Sequence, residues 1–167
     1  MEVDKLRHAH HLPGPWLPRE RLYVSLLSLG RHPVLPLRLI DRVSDVISEQ
    51  RLLGCQIKFD QFVNGRKSAF LGSSKPLHDV ERLQAQLGDC LTQNKIACER
   101  WRSRPHVTLG YNIRAQPVQA IDSLGWTANE LVLIDSLYGE GRHLVQARWP
   151  LGICSVDTSA RQIAAPV

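Results

Sequence analysis

No apolar run in the 167 residues approaches the roughly 18 to 20 needed to span a bilayer. The first fourteen residues, MEVDKLRHAHHLPG, also lack the apolar stretch of a signal peptide. A soluble, cytoplasmic protein is therefore expected. Cysteine is sparse: Cys55, Cys90, Cys98 and Cys154 are scattered without a CxxC pair, which argues against a zinc ribbon or a thioredoxin-type site and for reduced, partly buried thiols. Neither a linker nor a low-complexity tract divides the chain. Lysine is scarce too, since 16 of the 21 basic residues are arginine, whose planar fork suits phosphate and carboxylate better than an ammonium does. The net charge of +5 and a pI near 9.3 point to anionic partners such as nucleic acid or nucleotide. With 43% hydrophobic and 22% charged residues, the chain has the composition of one globular domain.

Periodicity divides the chain into interleaved strands and helices. Arg21 to Leu29 alternates as a half-buried strand, with Leu22, Val24 and Leu26 on one face and Tyr23, Ser25 and Leu27 on the other. From Pro36 to about Gln50, Leu37, Ile40, Val43 and Ile47 form the stripe of an amphipathic helix that Gly54 is expected to end. Gln56 to Phe62 and Lys67 to Leu71 predict a hairpin across Asn64-Gly65. A second helix runs from Pro76 to about Asn94, burying Val80, Leu83, Leu87 and Leu91 and slightly weakened by Gly88. Arg104 to Tyr111 reads as a strand that Pro105 assigns to an edge or a strand entry. Pro117 to Leu124 reads as a short helix, and Glu130 to Tyr138 with His143 to Trp149 as a closing hairpin around Gly139 and Gly141. Interleaved elements with two antiparallel hairpins predict an α+β class.

The most informative pattern is an internal repeat. Arg19 to Leu26 aligns without gaps on Arg102 to Leu109, each position displaced by 83, with four of eight residues identical and Ser25 matching Thr108. Residues two apart in a strand share a face, so His106 and Thr108 present an imidazole and a hydroxyl side by side, and Tyr23 and Ser25 do likewise from the other copy. Two copies related by a pseudo-twofold axis would face each other across a cleft and converge four polar groups on one substrate. A phosphodiester suits such a site, because its hydrolysis needs a base, an acid and donors to the nonbridging oxygens.

The segment Arg104-Pro105-His106-Val107-Thr108-Leu109-Gly110-Tyr111 resembles the second motif of the 2H phosphoesterases. That superfamily includes 2′-5′ RNA ligase-like and RNA 2′,3′-cyclic phosphodiesterase-like proteins and carries two His-x-Thr/Ser motifs roughly 80 residues apart. Glu20-Arg21-Leu22 and Leu26 to Gly30 resemble the surroundings of its first motif, and Arg148-Trp149-Pro150-Leu151 its closing strand. The resemblance runs from about Leu12 to Leu151. It implies a two-lobed, pseudo-twofold duplicated domain over residues 1–151, with antiparallel sheets lining a central cleft, half-repeats at 19–26 and 102–109, and a tail at 152–167. It further implies no metal or cofactor, and RNA ends or small nucleotides with a cyclic or 2′-linked phosphate as partners of a monomer.

Two departures stand out. The position of the first motif histidine is held by Tyr23; a free tyrosine titrates near 10 and a free histidine near 6.5, so a phenol there is a donor and an acid but a poor base. Only about twenty residues precede Tyr23, which implies that the family's first strand is absent. In the hydrolytic reading His106 is the base, Thr108 and Ser25 hold phosphate oxygens, and Tyr23 protonates the leaving group. In the alternative, the chain is a nucleotide- or RNA-end-binding module that lost turnover with its first histidine. Tyr111, Arg104 and His143 are candidate substrate-binding residues, with Arg100, Arg102 and Arg114 near the second motif and His32 or His143 as stand-ins for the missing imidazole. His8, His10 and His11 are read as a solvated segment, and Trp16, Trp101, Trp126 and Trp149 as packing residues.

Overall fold

The computed structural model describes residues 5, 16–65, 67–100, 104–112, 116–137 and 139–153. His8, His10, His11, Trp101, Arg102, Arg114, Cys154 and most of the expected tail lie outside the described residues. In chain order the elements are a 3-10 turn (Arg19–Arg21), β1 (Leu27–Ser28), α1 (Leu37–Ser48), β2 (Cys55–Asn64), β3 (Ser68–Gly72), α2 (His78–Gln93), β4 (Glu99–Arg100), β5 (Val107–Tyr111), β6 (Gln116–Ala128), β7 (Glu130–Leu137) and β8 (Arg142–Pro150). Helices and antiparallel strands are interleaved as the α+β class requires. Among the described residues, no helix is long and apolar enough to cross a membrane.

The chain folds into two compact units, each assembled from three stretches. The first holds residues 1–26, 58–77 and 101–125, and the second holds 27–57, 78–100 and 126–167. Both copies of the repeat therefore belong to the first unit. β5, β3, β2 and β6 neighbour one another in that order in a four-stranded sheet. β3 pairs antiparallel with β2 from Gln61↔Gly72 to Asn64↔Ala69 and with β5 from Leu71↔Val107 to Ser68↔Tyr111, with a register shift at Ala69/Phe70. In the first unit Phe59, Phe62, Ala69, Leu71 and Leu109 are fully buried. Each large apolar side chain so buried contributes about 1.5–3 kcal/mol. β5 ends the four-stranded sheet with Pro105 just before its first residue, and Trp16↔Gly110, Val24↔Val107 and a 2.7 Å bond from Leu17 N to Leu109 O lay the 16–24 segment along its outer side.

In the second unit α1 packs on α2 and on β8, and β7 and β8 form the expected glycine hairpin, with Gly139 and Gly141 at positive φ. Trp149 donates its indole N–H to Ser48 Oγ at 3.3 Å, tying β8 to α1. α2 buries Val80, Leu83, Leu87 and Leu91 as its spacing predicts. Gly88 has a further role, because a Cβ there would stand 2.5 Å from Arg100 Nε. Its bareness makes room for the Arg100 guanidinium that pairs with Asp89. Cys55 and Cys90 are buried and Cys98 is half-buried. Burial pushes the Cys90 thiol up from its ordinary value.

Several expectations are corrected. The strand from Arg21 to Leu29 is broken into a 3-10 turn, an isolated bridge at Val24 and the two-residue β1, which pairs with β4 instead of continuing along β5. α1 stops at Ser48, and Leu37 at its first turn is exposed, so only Val43 and Ile47 of its stripe are buried. Gly54 does not end a helix. A Cβ there would meet Ala128 O at 2.7 Å and Gly152 O at 3.0 Å, so it is bare because two backbones approach it. The hairpin places Asn64 within β2 and opens its connection to residues 65–67. Pro117 to Leu124 is not a helix but the first part of the 13-residue β6. The buried pair Ile121 and Leu124 has helical spacing, and pairing beside β2 overrides it. Trp126 exposes 38% of its surface and is not a core residue.

Candidate active site

The antiparallel bridge Val24↔Val107 joins the two residues that the 83-residue displacement makes equivalent. An antiparallel bridge has a local twofold axis between its two partners, so at this one point the two copies of the repeat run antiparallel to each other. Tyr23 and Ser25 flank the bridge on one chain segment, and His106 and Thr108 flank it on the other. Residues directly opposite stand about 4.5–5.5 Å apart and diagonal ones about 7–8 Å. Regular pairing around the bridge would put His106 and Tyr23 on one diagonal and the hydroxyls of Ser25 and Thr108 on the other. Val107 and Leu109 point the other way and are buried at 3% and 0% exposure, which fixes which face each side chain takes.

His106 is oriented by its own strand entry. Its Nδ1 lies 2.9 Å from the Arg104 carbonyl oxygen. A carbonyl only accepts, so Nδ1 carries the proton and Nε2 of the neutral ring carries the lone pair. Pro105 withholds an N–H and sets the extended approach that brings this carbonyl back to the imidazole. The Phe70 ring packs against the imidazole with centroids 4.9 Å apart and planes tilted by 54°. Sequence reasoning missed Phe70, whose only cue was a place in the hairpin strand that pairs with β5.

The remaining candidates sit elsewhere. Arg104 contributes its carbonyl, and its side chain is exposed. Tyr111 stands opposite Ser68 at the far end of β5, 48% exposed. His143 is on β8 opposite Ser136, in the second unit. His32, also in the second unit, holds Leu29 O at 3.0 Å through Nε2. Arg100 is in an ion pair with Asp89. An open groove of about 460 Å³ along α2, lined by Gln50, Arg82, Gln86, Asp89 and Gln93 among others, includes none of the candidates. Among the described residues, no three His, Cys, Asp or Glu side chains are grouped to hold a metal ion.

A family model described as the 2′-5′ RNA ligase superfamily matches residues 1–139. The chain belongs to the 2′-5′ RNA ligase superfamily. Among solved structures, E. coli LigT complexed with 3′-AMP is 18% identical, with a TM-score of 0.67 over 89% of this chain and 88% of that one. A structure described as a phosphoesterase is 18% identical, with a TM-score of 0.62 over 89% and 90%. TT0787 of Thermus thermophilus is 19% identical, with a TM-score of 0.55 over 89% and 88%. At these identities the likeness establishes a shared fold. No curated protein matches the sequence. Membership in the 2′-5′ RNA ligase superfamily, the 2H phosphoesterases, supports phosphodiesterase or ligase chemistry in general for this chain.

Proposed function

We propose that this 2H phosphoesterase-like chain hydrolyses cyclic or 2′-linked phosphodiesters of RNA ends or small nucleotides, as a cytoplasmic monomer whose working domain is residues 1–151. The orientation of His106 carries the reading, because Nδ1–H on the Arg104 carbonyl leaves Nε2 available to a water. Nε2 takes a proton from that water, whose oxygen bonds to phosphorus. The bond from phosphorus to the leaving sugar oxygen breaks on the opposite side, and the Tyr23 phenol gives that oxygen a proton. Base and acid on one diagonal suit such an in-line displacement. Ser25 and Thr108, on the other diagonal, donate to the nonbridging oxygens as charge builds there. Arg104 and Tyr111 are the proposed substrate contacts at the two ends of the motif.

The test is His106→Ala assayed on a 2′,3′-cyclic nucleotide. Loss of a general base costs about 10²–10⁴ in rate, so turnover is expected to become undetectable, and a variant as active as the wild type overturns the reading. The second reading, a binding module without turnover, is favoured by one observation, the phenol at position 23. It predicts retained nucleotide binding and no hydrolysis by the wild type.

A further inference from the structure

We propose that Phe70 is a positioning residue for His106, holding the imidazole with Nδ1–H on the Arg104 carbonyl and Nε2 toward the open face. The inference rests on the reading of His106 as the base, but its geometry stands apart from any assay of turnover. Phe70 is the partner of Thr108 across β3 and β5, so its side chain rises on the face that carries Thr108 and His106. The two rings meet at 4.9 Å between centroids, tilted by 54°, an arrangement in the favoured range for aromatic pairs.

Phe70 is itself braced. Val63 is its partner on β2, and a Cβ built on Gly72 would stand 3.7 Å from Phe70 Cε2 and 3.7 Å from Val63 Cγ2. The ring thus lies over the bare glycine with Val63 beside it. The register of β3 on β5 ends at Leu71↔Val107, one residue before His106, and the Phe70 ring reaches the imidazole from β3.

The imidazole needs such a support. A half turn about its last side-chain bond exchanges Nδ1 for a carbon and breaks the one hydrogen bond that selects the tautomer. A single partly exposed hydrogen bond biases such an equilibrium by only about twofold to tenfold. An aromatic contact adds a further factor of about two to ten. Together they keep most molecules with Nε2 as the basic nitrogen.

The experiment uses the full-length chain with ¹⁵N-labelled histidine at pH 9, above the ordinary imidazole range. His106 resonances are assigned by their absence in His106→Ala. The wild type is expected to show the nitrogen shifts of a ring protonated at Nδ1, and Phe70→Ala shifts averaged toward the other tautomer. In turnover of a 2′,3′-cyclic nucleotide, Phe70→Ala is expected to lower kcat about fivefold to tenfold with KM within twofold, and Phe70→Tyr to keep wild-type kcat. Phe70→Leu retains bulk without the ring and is expected to behave as Phe70→Ala. Unchanged His106 shifts in folded Phe70→Ala or Phe70→Leu overturn the proposal, as does Phe70→Leu matching Phe70→Tyr in both readouts. A fully active His106→Ala would overturn the base reading instead, which the nitrogen shifts alone leave untouched.

Discussion

Replacing Tyr23 by histidine tests how much of the chemistry the phenol carries. Tyr23 is half-buried on the polar face, while its neighbour Val24 makes the bridge to Val107, so the substitution changes the proton donor and leaves the pairing in place. The size of the effect follows from two limits. If the phenol already serves as the acid, the substitution exchanges one proton donor for another, and the gain is expected to stay at about tenfold, well below the worth of a general acid. If the phenol is idle, the gain is the full worth of a general acid, about 10²–10⁴, or about 2.7–5.4 kcal/mol of barrier. The assay is kcat on a 2′,3′-cyclic nucleotide for wild type, Tyr23→His and Tyr23→Phe between pH 5 and 10.5. A wild type that uses the phenol is expected to lose activity in Tyr23→Phe, which removes only the hydroxyl, whereas one in which the phenol is idle is expected to keep it. A Tyr23→His rate within threefold of the wild type, in a protein whose His106→Ala variant is inactive, would refute the placement of position 23 at the leaving oxygen.

Two further predictions concern the scaffold. Gly54→Ala is expected to destabilise the chain by about 1–3 kcal/mol in urea unfolding, because its Cβ would press on two backbone oxygens, Ala128 O and Gly152 O, that cannot swing aside; a shift under 0.5 kcal/mol would contradict the close approach. Asp60 accepts bonds from Ser74 N at 2.7 Å and Ser74 Oγ at 2.5 Å, and these bonds hold its carboxyl below the ordinary value of 3.8. A depressed folded-state value makes the carboxylate's contribution full above the unfolded value and lost as pH falls through the folded one. Stability should therefore decline below about pH 4 with a slope that Asp60→Asn reduces, and an identical acid slope in the variant would remove Asp60 from the account.

How legible the fold was depended on where each signal came from. The α2 stripe and the β7/β8 hairpin were readable because a run of leucines at helical spacing and a pair of turn glycines are local facts. β6 was not, since Ile121 and Leu124 have helical spacing and only the neighbouring β2 makes their segment a strand. The glycines misled for a related reason. Gly54 and Gly88 read as a helix end and a helix defect, yet each is bare because something distant in sequence approaches it, a backbone in one case and the Arg100 guanidinium in the other. In the candidate site the four polar residues were legible through the repeat, whereas Phe70 was not, because its proximity to His106 follows from the register of β3 on β5.

The bridge between Val24 and Val107 also explains why a tyrosine in the first motif need not dismantle the second. In a twofold antiparallel pair each motif's first residue stands opposite the other motif's third, so each half lends its hydroxyl to the other half's proton-transfer residue. Around the Val24↔Val107 bridge such pairing would set His106 against Ser25 and Tyr23 against Thr108. What orients His106, namely the Arg104 carbonyl and the Phe70 ring, comes from its own strand entry and from β3, and involves no atom of position 23. In the proposed reaction the change at position 23 would thus fall on one proton transfer and leave the orientation of His106 as it is. On that reading one substitution, Tyr23→His, is a sufficient experiment, because the orientation of His106 does not depend on it.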